Sequence, residues 1–142
     1  MSKVAVVYYS GTGNTEAMAE AVVEGAKTAR AEVDLIFSDD FSPSKLEDYD
    51  AIGFGCPAMG DEVLEEGSFE PMFEECEEKL SGRKIAIFGS YEWNDGQWIE
   101  DWEERCKKAG ALLVYDKVPA YDAPDEEALE KCRNLGQALA KA

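Results

Sequence analysis

The chain has 142 residues, 31 acidic and 14 basic, for a formal charge of −17, and it contains no histidine. That charge repels nucleic acid and anionic membranes and favours basic protein partners, while the missing imidazole removes the commonest general base and the commonest metal ligand. Four scattered cysteines, Cys56, Cys76, Cys106 and Cys132, form no C-x-x-C pair and read as free thiols of a reducing cytoplasm, the last three on apolar helix faces.

At this length one domain, spanning 1–142, is expected, burying roughly 70% of its unfolded surface without help from disulfides or metal. The first apolar run is too brief for a signal peptide or a membrane span. That run, Val4–Tyr9, reads as a strand covered on both faces. It passes through Ser10-Gly11-Thr12-Gly13-Asn14-Thr15 into a helix whose Met18, Val22 and Ala26 share one face. A strand, a small hydroxyl-rich loop and a helix N-terminus together suit a phosphate: the first N–H groups of a helix lack partners and carry partial positive charge. Ser10, Thr12 and Thr15 add hydroxyl donors, Asn14 an amide, and Gly11 and Gly13 allow close backbone approach. No lysine or arginine lies in the loop, so it is not a Walker loop. Glu16 stands where a dinucleotide fingerprint needs its third glycine. Binding by neutral groups alone suits a retained phosphate monoester better than a triphosphate being turned over.

Val33–Phe37 is the second strand candidate, and Ser38 to Asp50 reads as loop with about one turn of helix. Ala51–Phe54 is the third strand. The loop after it, Gly55-Cys56-Pro57-Ala58-Met59-Gly60-Asp61-Glu62, is small enough to admit a flat ligand, with Met59 as a polarizable surface. Phe69, Met72, Phe73, Cys76 and Leu80 stripe the second helix, with Ser68 as its expected cap and Pro71 in its first turn. Ile85–Phe88 is the fourth strand, followed by Gly89-Ser90-Tyr91-Glu92-Trp93-Asn94-Asp95-Gly96. Trp93 has no helical stripe to join there and suits stacking on an aromatic ring. Trp98 and Trp102 have helical spacing and read as core. Ile99, Trp102 and Cys106 stripe the third helix, capped by Asp95 and ended by Gly110. Ala111–Tyr115 is the fifth strand. Asp122 and Pro124 open the last helix, where Leu129, Cys132, Leu135 and Leu139 face inward.

Alternating strands and helices give an α/β fold: a doubly wound five-stranded parallel sheet, order 2-1-3-4-5, with helices on both faces. Ligands in such sheets lie beyond the carboxyl ends of the strands, so the loops after strands one, three and four carry the site.

Those loops, SGTGNT, CPAMGDE and GSYEWNDG, resemble the three cofactor loops of short-chain flavodoxins of the clostridial type, in order and across essentially the whole chain. The resemblance implies a low-potential electron carrier without a substrate of its own, holding non-covalent FMN and cycling between semiquinone and hydroquinone. It implies that Ser10, Gly11, Thr12, Gly13, Asn14 and Thr15 hold the phosphate and that Met59 and Trp93 flank the ring. Glu62 would accept from N3–H, the Gly60 carbonyl would turn to accept a hydrogen bond from N5–H once the flavin is reduced by one electron, and backbone groups near Ser90, Tyr91 and Glu92 would reach the pyrimidine edge. Pro57, Ala58 and Asp61 complete the second loop. Glu92 and Asn94 depart from the pattern, which has glycine on either side of the tryptophan.

The implied redox behaviour has a physical basis. A net hydrogen bond of about 1 kcal/mol, made only after reduction, raises the first one-electron potential by roughly 40 mV. Each carboxylate about 10 Å from an anionic flavin, at an effective dielectric of about 20, costs roughly 1.7 kcal/mol, or about 70 mV, on the second. Asp61, Glu62, Glu65, Glu66, Glu92 and Asp95 are the carboxylates expected nearby. Between Asp61 and Glu78 there are nine acidic residues and no basic one. Part of that run is expected to be a solvated helix face and part a docking rim for basic patches on reductases and oxidoreductases. A monomer making transient encounters is implied. A receiver domain would need aspartates where Ser10 and Cys56-Pro57 stand, and a low-molecular-weight tyrosine phosphatase would need Cys-x5-Arg after strand one. Sequence leaves open a general carrier or a subunit dedicated to one enzyme.

Overall fold

A computed structural model describes residues 2–11, 13–58, 64–92 and 96–142. Its elements in chain order are β1 (Lys3–Tyr8), α1 (Asn14–Thr28), β2 (Glu32–Phe37), two 3-10 turns (Ser38–Asp40 and Pro43–Asp48), β3 (Ala51–Gly55), α2 (Phe69–Glu77), β4 (Lys84–Tyr91), α3 (Gln97–Lys108), β5 (Leu112–Leu113), β6 (Val118–Tyr121) and α4 (Glu126–Lys141). Among the described residues all strand pairings are parallel, and the sheet runs β2-β1-β3-β4-β5, as expected.

The fifth position differs from expectation because it is occupied twice. β5 pairs with the start of β4, Lys84–Ile85, while β6 pairs with its end, Phe88–Tyr91. Between them the chain leaves the ladder, and Lys117 reaches Glu100 and Glu103 of α3 at 3.4 and 3.3 Å. This is an edge strand, where a break forfeits hydrogen bonds on one side only, and Pro119 is tolerated there. The extra pairing also lengthens β4. Ser90 and Tyr91, expected in a loop, are therefore its last two residues, opposite Ala120 and Tyr121.

The sheet is covered on both faces. On one, Phe54 meets Phe69 and Phe73 edge-on, both of which meet Trp102 edge-on in turn; Trp98, Ile99, Cys76 and Cys106 complete this layer. On the other, Met18 and Val22 of α1 pack with Leu135, Leu139 and Cys132 of α4 against Val4, Val6 and Phe88. Trp98 and Trp102 are thus core, and all four cysteines are buried free thiols. Arg105 of α3 clamps α2, grasping Glu70 and Glu77 while its guanidinium lies 5.0 Å from the Phe73 ring centroid.

Helix ends follow the sequence in part. Gly110 (φ 83°) stops α3, with Ala111 N–H returning to the Cys106 carbonyl at 3.1 Å. Asp95, the expected cap of α3, lies outside the described residues, and Gly96 holds the N-cap position. α4 begins later than expected: Asp125, not Asp122, caps it, its carboxylate accepting from Ala128 N–H at 2.8 Å. Asp122 instead takes a left-handed turn (φ 55°) and donates its N–H to the Tyr91 carbonyl. Ser68 occupies the N-cap position of α2 but makes no side-chain cap bond; its hydroxyl is engaged with Ser38 and Asp39.

Candidate functional site

The carboxyl ends of β1, β3 and β4 gather the described parts of the three expected loops. Beyond β1, the Ser10 hydroxyl accepts from Gly13 N–H at 3.1 Å and Glu16 N–H at 3.2 Å. The loop thus wraps around one oxygen whose acceptor capacity is filled, leaving its proton to donate outward. Gly13, the N-cap of α1, has φ 97°; a side chain there would be strained even though a Cβ meets nothing within 4 Å. Among the described residues the N–H groups of Asn14 and Thr15 have no protein acceptor. Glu16, the acid in this first turn, is drawn aside by the Tyr8 hydroxyl, which donates to its carboxylate at 3.2 Å. Burial and this bond together raise the Tyr8 pKa.

Beyond β3, Cys56 N–H bonds the Phe88 carbonyl at 3.1 Å and Ala58 N–H bonds the Ser90 carbonyl at 2.9 Å. Cys56, Pro57 and Ala58 are therefore fastened along β4. Ser90 in turn reaches the first loop: its hydroxyl lies 2.9 Å from Thr15 Oγ1, and both residues are buried. Tyr91 packs on Trp98 and on Tyr121, each with ring centroids 5.4 Å apart, and Glu92 stands exposed beside it. Ser10, Gly11, Gly13, Asn14, Thr15, Pro57, Ala58, Ser90, Tyr91 and Glu92 thus share one end of the sheet. Thr12, Met59, Gly60, Asp61, Glu62 and Trp93 lie outside the described residues, as does Asn94.

Two features were not read from the sequence. Glu65, expected as a free carboxylate near a ligand, is a structural acceptor: Oε2 takes Gly67 N–H at 2.7 Å, and Oε1 takes Ser68 N–H at 2.7 Å and Phe69 N–H at 2.8 Å. It performs the capping expected of Ser68, and its own N–H donates to Cys56 Sγ at 3.3 Å. Its position three residues ahead of Ser68 is the only trace of this role in the sequence. Removing a capping acceptor costs about 1 to 2 kcal/mol. Glu65→Ala is expected to lower the urea unfolding free energy by that amount, with Glu65→Gln retaining part of it. The other feature is the link between Thr15 and Ser90, 75 positions apart.

The donor set fits a phosphate. It consists of helix N–H groups without a partner among the described residues, a hydroxyl whose acceptor sites are filled and whose proton is free to donate, and a loop free of cationic side chains. A flavodoxin family model matches residues 6–136. The flavodoxin of Clostridium beijerinckii is 44% identical over 135 residues, covering 95% of this chain and 97% of the relative. That of Megasphaera elsdenii is 40% identical, covering 98% and 99%. The solution structure of the two-electron reduced Megasphaera elsdenii protein superposes with a TM-score of 0.90 over 98% of this chain and 99% of that one. Oxidised flavodoxin 1 of Bacillus cereus, 29% identical, gives 0.85 over 99% and 98%. The chain belongs to the flavodoxin family, FMN-binding proteins that transfer electrons between redox partners and have no substrate of their own.

Proposed function

We propose that this chain is a low-potential, one-electron carrier, acting as a single unit over 1–142, that holds FMN across the carboxyl ends of β1, β3 and β4. The observation that carries the reading is the phosphate cradle at the start of α1, built of neutral donors around Ser10. When bound, FMN supplies the redox chemistry; the chain supplies position, hydrogen bonds and field. Ser10, Gly11, Thr12, Gly13, Asn14 and Thr15 bind the phosphate. Met59 and Trp93 would flank the ring, Glu62 would accept a hydrogen bond from N3–H, and the Gly60 carbonyl would accept one from N5–H. Pro57, Ala58, Asp61, Ser90, Tyr91 and Glu92 complete the lining. Neutral donors hold the phosphate without adding positive charge, so the field of the −17 chain opposes arrival of a second electron and keeps the two steps apart.

Stepwise anaerobic reduction of the FMN-loaded protein tests this. A long-wavelength band at half reduction, vanishing at full reduction, is expected. Passage straight to the fully reduced spectrum would exclude one-electron work, and failure to bind FMN would overturn the whole reading.

The encounter with redox partners is transient, and its chemistry is electrostatic in this reading: basic patches on reductases and oxidoreductases meet the acidic rim of a monomer in the cytoplasm. Glu65, Glu70 and Glu77 are committed to internal bonds; of the described carboxylates, Glu66 and Glu92 are exposed beside the loops, and Glu74, Glu75 and Glu78 are exposed farther along the acidic run. The rate of electron transfer to a basic partner is expected to fall steeply as ionic strength rises; a rate insensitive to salt would exclude this docking mode. Among the described residues no helix is long and apolar enough to cross a membrane.

A further inference from the structure

We propose that Ser90 is a positioning residue for the phosphate, acting through Thr15, although it stands on the strand that borders the ring. The inference rests on the proposed cradle and adds a specific device to it. Thr15 is 1% exposed and Ser90 4%. Thr15 Oγ1 receives the backbone N–H of Ser90 at 3.4 Å and lies 2.9 Å from Ser90 Oγ. A threonine hydroxyl has two acceptor sites and one proton. The Ser90 N–H fills the first site. If the Ser90 hydroxyl donates, it fills the second, and the Thr15 proton has no use within the pair; it is directed to the helix N-terminus, where an anion accepts it. The reverse arrangement would spend the Thr15 proton on Ser90 and leave the anion without it. Charge-assisted bonds are roughly twice as strong as neutral ones, so a bound phosphate selects the first arrangement. Ser90 is held for this task, since its carbonyl accepts Ala58 N–H at 2.9 Å and its position is paired with Ala120.

The role separates phosphate binding from ring binding, which a loss of packing would not do. The test compares dissociation constants of FMN and riboflavin, which differ by the phosphate, for the wild type, Ser90→Ala, Thr15→Val and the double variant. Ser90→Ala is expected to weaken FMN about tenfold while riboflavin changes less than twofold, and in the Thr15→Val background it should cause no further loss of FMN affinity. Equal weakening of both ligands, or a full loss persisting beside Thr15→Val, would overturn the positioning role. A wild type that binds riboflavin as tightly as FMN would instead overturn the phosphate cradle itself. Urea unfolding of the four apoproteins identifies any variant that fails to fold. For such a variant, Ser90→Thr, which keeps the hydroxyl, is the replacement: FMN affinity within threefold of wild type supports the role, and a tenfold loss counts against it.

Discussion

Gly89→Ala is expected to destabilise the apoprotein by about 3 kcal/mol, the upper end of the usual penalty for overpacking, and to weaken FMN binding at least a hundredfold (about 2.7 kcal/mol). A Cβ on Gly89 would lie 2.0 Å from the Cys56 carbonyl oxygen and 3.1 Å from Trp98 Cζ2. The first obstacle is backbone and cannot rotate away. It is held from several directions: Cys56 O accepts the Trp98 indole N–H at 3.4 Å, Cys56 N–H bonds Phe88, and Ala58 N–H bonds Ser90. Relief requires the ends of β3 and β4 to separate, and those ends carry two of the three cofactor loops. Urea unfolding and FMN titration of the variant check both parts. Wild-type affinity would show that the close approach of β3 and β4 is not needed at the site.

Raising the pH from 8 to 10 is expected to remove roughly 5.5 kcal/mol from apoprotein stability. Burial pushes the thiols of Cys76, Cys106 and Cys132 up from 9.0 to about 12, and Cys56 rises for the same reason. Above pH 9 the unfolded chain releases protons that the folded chain retains, so the folded state binds more protons and stability falls with pH. The contribution is intact below pH 9 and is lost progressively as pH climbs to 12. At pH 10 each of the four thiols has lost about 1.4 kcal/mol. Tyr49, raised to about 12 by burial and by its 2.7 Å bond to Asp34, extends the decline from pH 10 upward. Urea titrations under reducing conditions at pH 8, 9 and 10 measure the slope. Cys132→Ala should make it shallower by one thiol's share; a flat profile to pH 10 would mean that these thiols titrate as they do in the unfolded chain.

The parts legible in the sequence were those governed by local pattern. Val4–Tyr9, Ala51–Phe54 and the stripes of α1 to α4 announced themselves because burial on a sheet or helix face imposes a period. The SGTGNT loop was legible because strand, small residues and helix onset are contiguous. What escaped depends on distant partners. β6 was hidden because Pro119 argues against a strand until an edge position excuses it, and with it went the extension of β4 through Tyr91. Ser68 had the right residue type to cap α2, yet Ser38 and Asp39, 30 and 29 positions away, claim its hydroxyl. The Thr15–Ser90 bond joins the first turn of α1 to the end of β4, and their adjacency exists only after β1, β3 and β4 are laid side by side.

The broken fifth strand also bears on how copies of this chain coexist when crowded. An uninterrupted, unpaired edge is a template on which another chain can add a strand. Here that edge is cut into pieces of two and four residues, with Pro119 in the second. At the opposite margin β2 exposes Glu32 and presents Asp34, whose carboxylate is held by Tyr49. Exposed leucines sit at both margins, Leu35 on β2 and Leu112 on β5, yet neither margin offers the long, uncharged run that fibrillar stacking requires. The same irregularity that hid a strand from sequence reading equips the sheet to resist aggregation.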